Sequence, residues 1–388
     1  MAPLTDRIAR SLQARHASMP GGNRPTLALR TDEGPLRVFG NGEPAATLVV
    51  RGRAGMSALA SMDLTAIAEA YVSGDLDVDG DLMQVLPLRT SLADRHPLAF
   101  VMRFIRPLLI GQIAADRTVM PTHYDRDADF FLSFLDRRHR GYSQAVFASE
   151  DESLEDAMTR KLELALAAVG ARPGDRILDI GGGWGAMTEF AGRQGIRVTS
   201  LTISDVSRHF IEKLIADERL PCEVRMEHFY EHHTTYPYDA IVNLGVTEHL
   251  PDYQRTLRHY DALLKPGGKV YLDASAARSR WEFSTFLERH IYRGNGALLC
   301  LHEYLQAVAS SPFEAEIVYN DRRNYLLTTL HWARNLDARR DSIVARWGEP
   351  TYRLFRLYLW GCVDAFERDL TQAYRMVLSR PSAKSGSA

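Results

Sequence analysis

A chain of 388 residues with 45% apolar and 25% charged side chains has the core and the surface of a globular protein, at a length that usually holds two domains. A formal charge of -2 argues against nucleic acid as a partner, and three scattered cysteines, Cys222, Cys300 and Cys362, without C-x-x-C spacing, argue against disulfide or thiolate-metal chemistry. No uncharged apolar run reaches the ~18 residues of a spanning helix, and the segment with Arg7, Arg10 and Arg15 lacks the apolar stretch of a secretory signal, so a cytoplasmic protein that meets a membrane only from the side is expected.

Residues 1–115 lack the glycine turn and the strand and helix alternation of residues 116–388, so the chain is expected to divide there into a first and a second domain. Residues 36–39 and 47–51 read as short strands joined by Gly40-Asn41-Gly42-Glu43-Pro44, where Asn-Gly favours a tight hairpin. Residues 62–72 read as a helix. The acidic stretch 74–82 resembles an EF-hand loop in composition alone, lacks the glutamate at the twelfth position, and is read as a solvated turn. The segment 97–111 is apolar but for Arg103 and Arg106, the pattern of a buried core helix or of one lying on lipid. Arg137, Arg138, His139 and Arg140 form a second basic cluster, either a solvated loop or a contact for lipid head groups.

From Arg176 the pattern is a doubly wound α/β sheet. Arg176-Ile177-Leu178-Asp179-Ile180 is a buried-type strand that runs into Gly181-Gly182-Gly183-Trp184-Gly185, and the spacing of Ala186, Met187, Phe190 and Ala191 then predicts a helix. Further strands are predicted at 196–203, 222–226, 238–244 and 269–272, with a helix over 205–217 and Lys265-Pro266-Gly267-Gly268 as a stop after another. Ligands of such sheets sit beyond the carboxyl ends of the strands. That singles out residues 181–185, Thr202, Ile203, Ser204, Glu227, His228, residues 245–249 and Asp273. Glu248 lies just past a buried strand, where an acid has no packing reason to be.

The turn completes no dinucleotide triad. Its form, with Asp179 before the glycines, resembles the S-adenosylmethionine-dependent methyltransferases, whose ligand has no pyrophosphate to cradle and offers an ammonium to Asp179 and nearby carbonyls. Phe39 to Pro44, Glu69 to Tyr71, Gly74-Asp75-Leu76, His123-Tyr124-Asp125, Tyr142-Ser143, residues 181–185, Thr202-Ile203-Ser204, Glu248-His249, Asn324-Tyr325 and Tyr358-Leu359-Trp360-Gly361-Cys362 occur in this order. Together they resemble the cyclopropane-fatty-acyl-phospholipid synthases and mycolic-acid methyltransferases over nearly the whole chain. The resemblance implies a Rossmann-like class I methyltransferase sheet behind a smaller N-terminal α+β, lipid-associated domain. It implies transfer of the sulfonium methyl of S-adenosylmethionine to a carbon of an unsaturated phospholipid acyl chain, giving a cyclopropane ring or a methyl or methylene branch, at an anionic membrane surface; a homodimer is compatible with it. Tyr142, Ser143, Asp179, Gly181, Gly183, Trp184, Gly185, Thr202, Ile203, Ser204, Glu227 and His228 are the implied cofactor residues, and Glu248 and Tyr325 belong to the group that in the family holds a bicarbonate ion as base.

Two of that ion's family ligands are replaced. Gln144 stands where the family has a cysteine, and Asp273 where it has a histidine; Ser207 replaces a glutamine and Gly182 a cysteine. With Glu248 and Asp273 converging, a third anion would be repelled. Asp273, oriented by Tyr325 or Gln144, is therefore expected to serve as proton acceptor in place of bicarbonate, with Glu248 stabilising positive charge. Two other readings are a C-methyltransferase of a soluble secondary metabolite, and a catalytically silent lipid-binding protein.

Overall fold

The structure is a computed structural model that describes residues 4–19, 24–32, 34–94, 96, 111–119, 127–279, 282, 284–292 and 297–381. Arg103, Arg106 and the rest of the apolar segment up to residue 110, and His123-Tyr124-Asp125, lie outside them. The chain divides into two compact units. One comprises Met1–Val101, Phe283–Ile291 and Leu336–Asp364, the other Met102–Glu282, Tyr292–Asn335 and Ala365–Ala388.

The first unit holds a four-stranded sheet in the order β2-β1-β3-β4, with β1 at Leu27–Thr31, β2 at Arg37–Phe39, β3 at Ala46–Val50 and β4 at Leu76–Gly80. The turn 40–44 does not close a hairpin, because β2 and β3 both pair with β1, one antiparallel and the other parallel. Leu27, Ala28 and Leu29 are all buried, and this apolar triplet takes the middle of the sheet. Thr26 ties the turn to it, donating from Oγ1 to the Asn41 carbonyl at 2.6 Å and accepting from the Ala45 amide at 2.8 Å. The acidic stretch is β4 and not a turn. Leu76 is buried in it, while Asp77 and Asp79 pair with Arg51 at 3.1 Å and Arg30 at 3.0 Å. Alternation of that kind is a strand pattern despite the poor strand propensity of aspartate. The helix predicted over 62–72 spans Leu64–Ser73; the Asp63 side chain accepts from the Ala66 amide at its start, and Gly74 with φ 89° ends it.

The second unit is built on the sheet β7-β6-β5-β8-β9-β12-β11, with β5 at Arg176–Ile180, β6 at Arg197–Thr202, β7 at Glu223–Met226, β8 at Tyr238–Leu244, β9 at Leu264–Ala277, β10 at Leu299–Cys300, β11 at Glu314–Asn320 and β12 at Gln372–Ser379. Strands β5 to β9 are parallel, and β12 runs antiparallel between β9 and β11. Helices cover both faces. Ile177, Val198 and Val242 bury against Leu162 and Leu166 of the helix Leu154–Val169, and Leu178, Ile241 and Leu272 against Leu257 and Tyr260 of the helix Tyr253–Leu263. The strand order reverses beside β5, which places a ligand site at the carboxyl ends of β5 and its neighbours.

One boundary differs in a way that matters for the site. The helix ends at Leu263 and β9 begins at once, so Lys265 to Gly268 are part of the strand, and Asp273 lies inside it and not beyond its end. The register between β8 and β9 shifts between Tyr238 and Ala240, and this irregularity absorbs the Pro-Gly-Gly segment.

Candidate active site

Beyond the carboxyl ends of β5, β6, β7 and β8 a cavity is walled by residues 181–184, by Thr202, Ile203, Ser204 and Ser207, by Glu227 and His228, and by Gly245, Val246 and His249. Tyr142, Ser143, Asp179 and Lys161 complete it. Gly181 has φ 79°, and a Cβ there would collide with Val246 Cγ2. Gly183 has φ 52°, and a Cβ there would meet open space, with the Gly181 carbonyl at 3.9 Å as its nearest neighbour. The backbone at Gly183 is thus bare towards the cavity, a cradle that any side chain would fill. Ser207 Oγ donates to the Gly183 carbonyl at 2.6 Å and steadies the turn. Gly185 does not line the cavity; it opens the helix Ala186–Gly192 at φ 77°, and a Cβ there would press on Leu214 Cδ2 at 2.6 Å.

Aromatic packing holds one wall. The Tyr142 ring lies 5.3 Å from Phe131 and 5.4 Å from Trp332, and buried Trp184 lies 5.8 Å from Phe131 and 5.7 Å from Phe210. Half of the nearby basic cluster, His139 and Arg140, is turned inward, and Arg137 and Arg138 are exposed. Arg140 donates to the Trp184 carbonyl at 3.2 Å and pairs with Glu189, His139 is buried with Nε2 2.8 Å from Thr159 Oγ1, and Arg138 pairs with Asp156 at 2.8 Å. Buried Glu189 is paired with Arg193 on one oxygen and Arg140 on the other, which turns Arg140 away from any lipid contact.

The polar ends of the cavity differ in kind. Asp179 accepts from Ser200 Oγ at 2.9 Å, and burial pushes its carboxyl up to about 6 against that bond and the Lys161 charge. Glu227 is fixed by His232, whose Nδ1 lies at 2.8 Å and whose Nε2 lies 2.9 Å from the Tyr238 hydroxyl. Carboxylates that accept from amino or hydroxyl groups, an ammonium at Lys161, an aromatic wall and a bare glycine backbone fit a ligand with a nucleoside end and an amino-acid end. S-Adenosylmethionine is such a ligand.

Behind Ser143 lies a buried ionic group. Lys161 Nζ is 3.0 Å from Asp273 Oδ2 and donates to Ser143 Oγ. Burial raises the Asp273 carboxyl, and Lys161 and Ser143 oppose the rise. Gln144 donates from Nε2 to Asp321 Oδ2 at 2.9 Å, so its amide is bound to Asp321 and not to Asp273. Tyr325 stacks on Phe366 at 4.7 Å and meets Trp332 edge-on. Glu248 Oε1 accepts from the Ser275 amide and hydroxyl, both at 2.7 Å, while Oε2 is buried without a partner. Burial pushes the Glu248 carboxyl up to about 7, its own bonds oppose this, and Asp273 adds to it.

Glu248 Oε2, Asp273 Oδ1 and Gln144 Oε1 are unpartnered buried acceptors, which suit positive charge or water, while Thr247 Oγ1, next to Glu248, and the Tyr271 hydroxyl, near Asp273, are unpartnered groups able to donate. A bicarbonate ion would meet the two carboxylates as like charges. Asp273, for which the base role was expected, has a cationic partner on Oδ2 and leaves Oδ1 unpartnered, whereas Glu248, with Oε2 unpartnered, has no cationic partner among its hydrogen bonds to the described residues. Sequence reasoning missed Lys161. The available signal was a lysine at an inward position of its helix, in line with Ala157, Met158, Leu162 and Ala165, which are all buried.

Residues 112–376 match the family model described as mycolic acid cyclopropane synthetase. A probable fatty acid methyltransferase of Mycobacterium tuberculosis is 28% identical over 351 residues, covering 81% of this chain and 82% of its own. A sphingolipid C9-methyltransferase of Candida albicans is 26% identical over 80% of this chain, which spans 64% of that relative's length. Among solved structures, a cyclopropane synthase from Mycobacterium tuberculosis superposes with a TM-score of 0.62 at 27% identity, over 67% of this chain and 96% of its own. A mycolic acid cyclopropane synthase complexed with SAH and CTAB gives 0.63 at 26% identity, over the same shares.

Proposed function

Because the chain belongs to the mycolic acid cyclopropane synthetase family and is an S-adenosylmethionine-dependent methyltransferase, we propose that it methylates a carbon of an unsaturated acyl chain, carried by a membrane phospholipid. The cofactor supplies an electrophilic sulfonium methyl. An alkene is a poor nucleophile, and its methylation leaves a carbocation on the acyl chain. This chain's residues must therefore align the reactants, keep water out, provide negative charge and remove one proton. The observation that carries the reading is Glu248, a buried carboxylate with one unshared oxygen, raised to about 7. Transfer to an oxygen or nitrogen nucleophile would also release a proton to such a base, but it creates no carbocation for buried negative charge to stabilise.

In this reading Gly181 and Gly183 let the ligand lie against the backbone, and Tyr142 and Trp184, with Phe131 between them, exclude water from one side. Asp273 adds negative charge close to the cation, and Glu248 Oε2 accepts the proton. Loss of that proton from the transferred methyl closes a ring; loss from a chain carbon leaves a branch. The test is mass spectrometry of total lipids from cells with and without the expressed chain. Monounsaturated phospholipids that gain one CH2 are the expected product. Unchanged lipids, with turnover of S-adenosylmethionine on a soluble acceptor, would overturn the acyl-chain assignment.

A further inference from the structure

Lys161 is 1% exposed, yet its side chain reaches the cofactor cavity. It occupies a core position of the helix Leu154–Val169, and burial of an ammonium is costly where methionine would pack as well. Its three donors are unequally spent. One goes to Ser143 Oγ, on the cavity wall, and one to Asp273 Oδ2, behind it, and the third remains for the space the side chain lines.

The surrounding charges limit what can accept that third bond. Asp179 and Glu227, elsewhere on the wall, repel an anion. Arg140, the other lysine or arginine among the described lining residues, is spent on Glu189 and on the carbonyls of Trp184 and Arg138. The corner formed by Ser143 and Lys161 is therefore where the cavity receives negative charge, and S-adenosylmethionine carries a single carboxylate, at its amino-acid end. We propose that Lys161 binds the carboxylate of S-adenosylmethionine, with Asp273 as the counter-ion that fixes its ammonium and Ser143 as a neighbouring partner. Asp273 then serves cofactor binding as well as the charge balance of the reaction. The inference rests on the cofactor assignment and is independent of the acyl acceptor.

The test is calorimetric binding of S-adenosylmethionine and of decarboxylated S-adenosylmethionine, which lacks only that carboxylate, to the wild-type chain and to Lys161→Met. A charge-assisted contact of this kind is worth about 10- to 100-fold in affinity. Wild type is expected to prefer the complete cofactor by that factor, and Lys161→Met to lose the preference while holding the decarboxylated form as wild type does. Equal affinity of wild type for the two ligands, or equal weakening of both by Lys161→Met, would overturn the proposal. Because the single variant leaves Asp273 without its partner, the pair Lys161→Met with Asp273→Asn provides a charge-neutral background if it fails to fold, and the wild-type comparison stands in either case. No lipid enters the measurement, so failure of the acyl-chain reading would leave its result untouched.

Discussion

In the proposed mechanism, Gly183 serves the cofactor site and Glu248 the proton step. Gly183 faces open cavity at a positive φ, so valine there would both strain the turn and fill the cradle. Gly183→Val is expected to retain the fold and lose measurable S-adenosylmethionine binding by calorimetry; unchanged affinity in a folded variant would remove the turn from the site. Glu248 gives a pH signature whose sign follows from its environment. A proton acceptor must be ionised, so turnover is expected to rise as pH increases through about 7 and to lose that limb in Glu248→Gln. The same shift acts on stability in the opposite sense. A carboxyl raised from 4.5 to about 7 in the folded state favours folding below its unfolded pKa, and that contribution is lost as pH rises towards the folded value. The loss is on the order of 3 kcal/mol for a shift of this size. Glu248→Gln, neutral throughout and still able to accept from Ser275, should melt above wild type at alkaline pH and close to it in mild acid. Gly181, Gly183, Thr202, Ser204, Glu227 and His228 were legible because strand ends mark them in one dimension, and Tyr142 and Ser143 through the family resemblance alone. Lys161 was not, since its meaning comes from contacts with Ser143 and Asp273 across 18 and 112 positions of chain.

At the scale of elements, the parallel strands β5, β6 and β8 were readable because each carries a row of buried residues closed by a turn, and the exposed β7 because it falls where the strand and helix alternation requires a strand. The antiparallel additions were hidden. β11 is exposed along its whole length, and β12 mixes polar and apolar residues, so neither announces itself in sequence. Pro266-Gly267-Gly268 reads as punctuation, yet β9 continues through it by an irregular register. β12 is nonetheless central, paired with β9 from Lys269↔Ser379 to Ala276↔Gln372 and burying Met376, Val377 and Leu378. Truncation before Gln372 would orphan the β9 ladder and expose that apolar row. The truncated chain is expected to be insoluble or to lack a cooperative thermal transition by circular dichroism; a soluble, cooperatively melting product would show that β12 is dispensable.

For the whole molecule, a net charge of -2 gives no general attraction to an anionic surface, so the lipid contact proposed for it would have to be local. No described helix is long and apolar enough to cross a membrane. With Arg140 turned inward, the basic residues left for contact are Arg103 and Arg106 of the segment outside the described residues, with Arg137 and the half-committed Arg138. Each arginine at an anionic surface contributes about 1 kcal/mol, so Arg103→Ala with Arg106→Ala is expected to weaken co-sedimentation with anionic vesicles by roughly tenfold or more at low salt. Binding equal to wild type would assign that segment to the protein interior.

Gln144 in place of a cysteine has a consequence for chemical resilience. None of the chain's three thiols lines the cofactor cavity. Burial raises the Cys222 thiol and pushes Cys362 up to about 12, so almost none of the reactive thiolate forms at these two near neutrality, and Cys300 is buried away from reagents. Peroxide or iodoacetamide should leave turnover intact under conditions that alkylate an ordinary exposed thiol within minutes. A methyltransferase built this way would keep turning over under oxidising conditions that disable enzymes with an exposed active-site thiol.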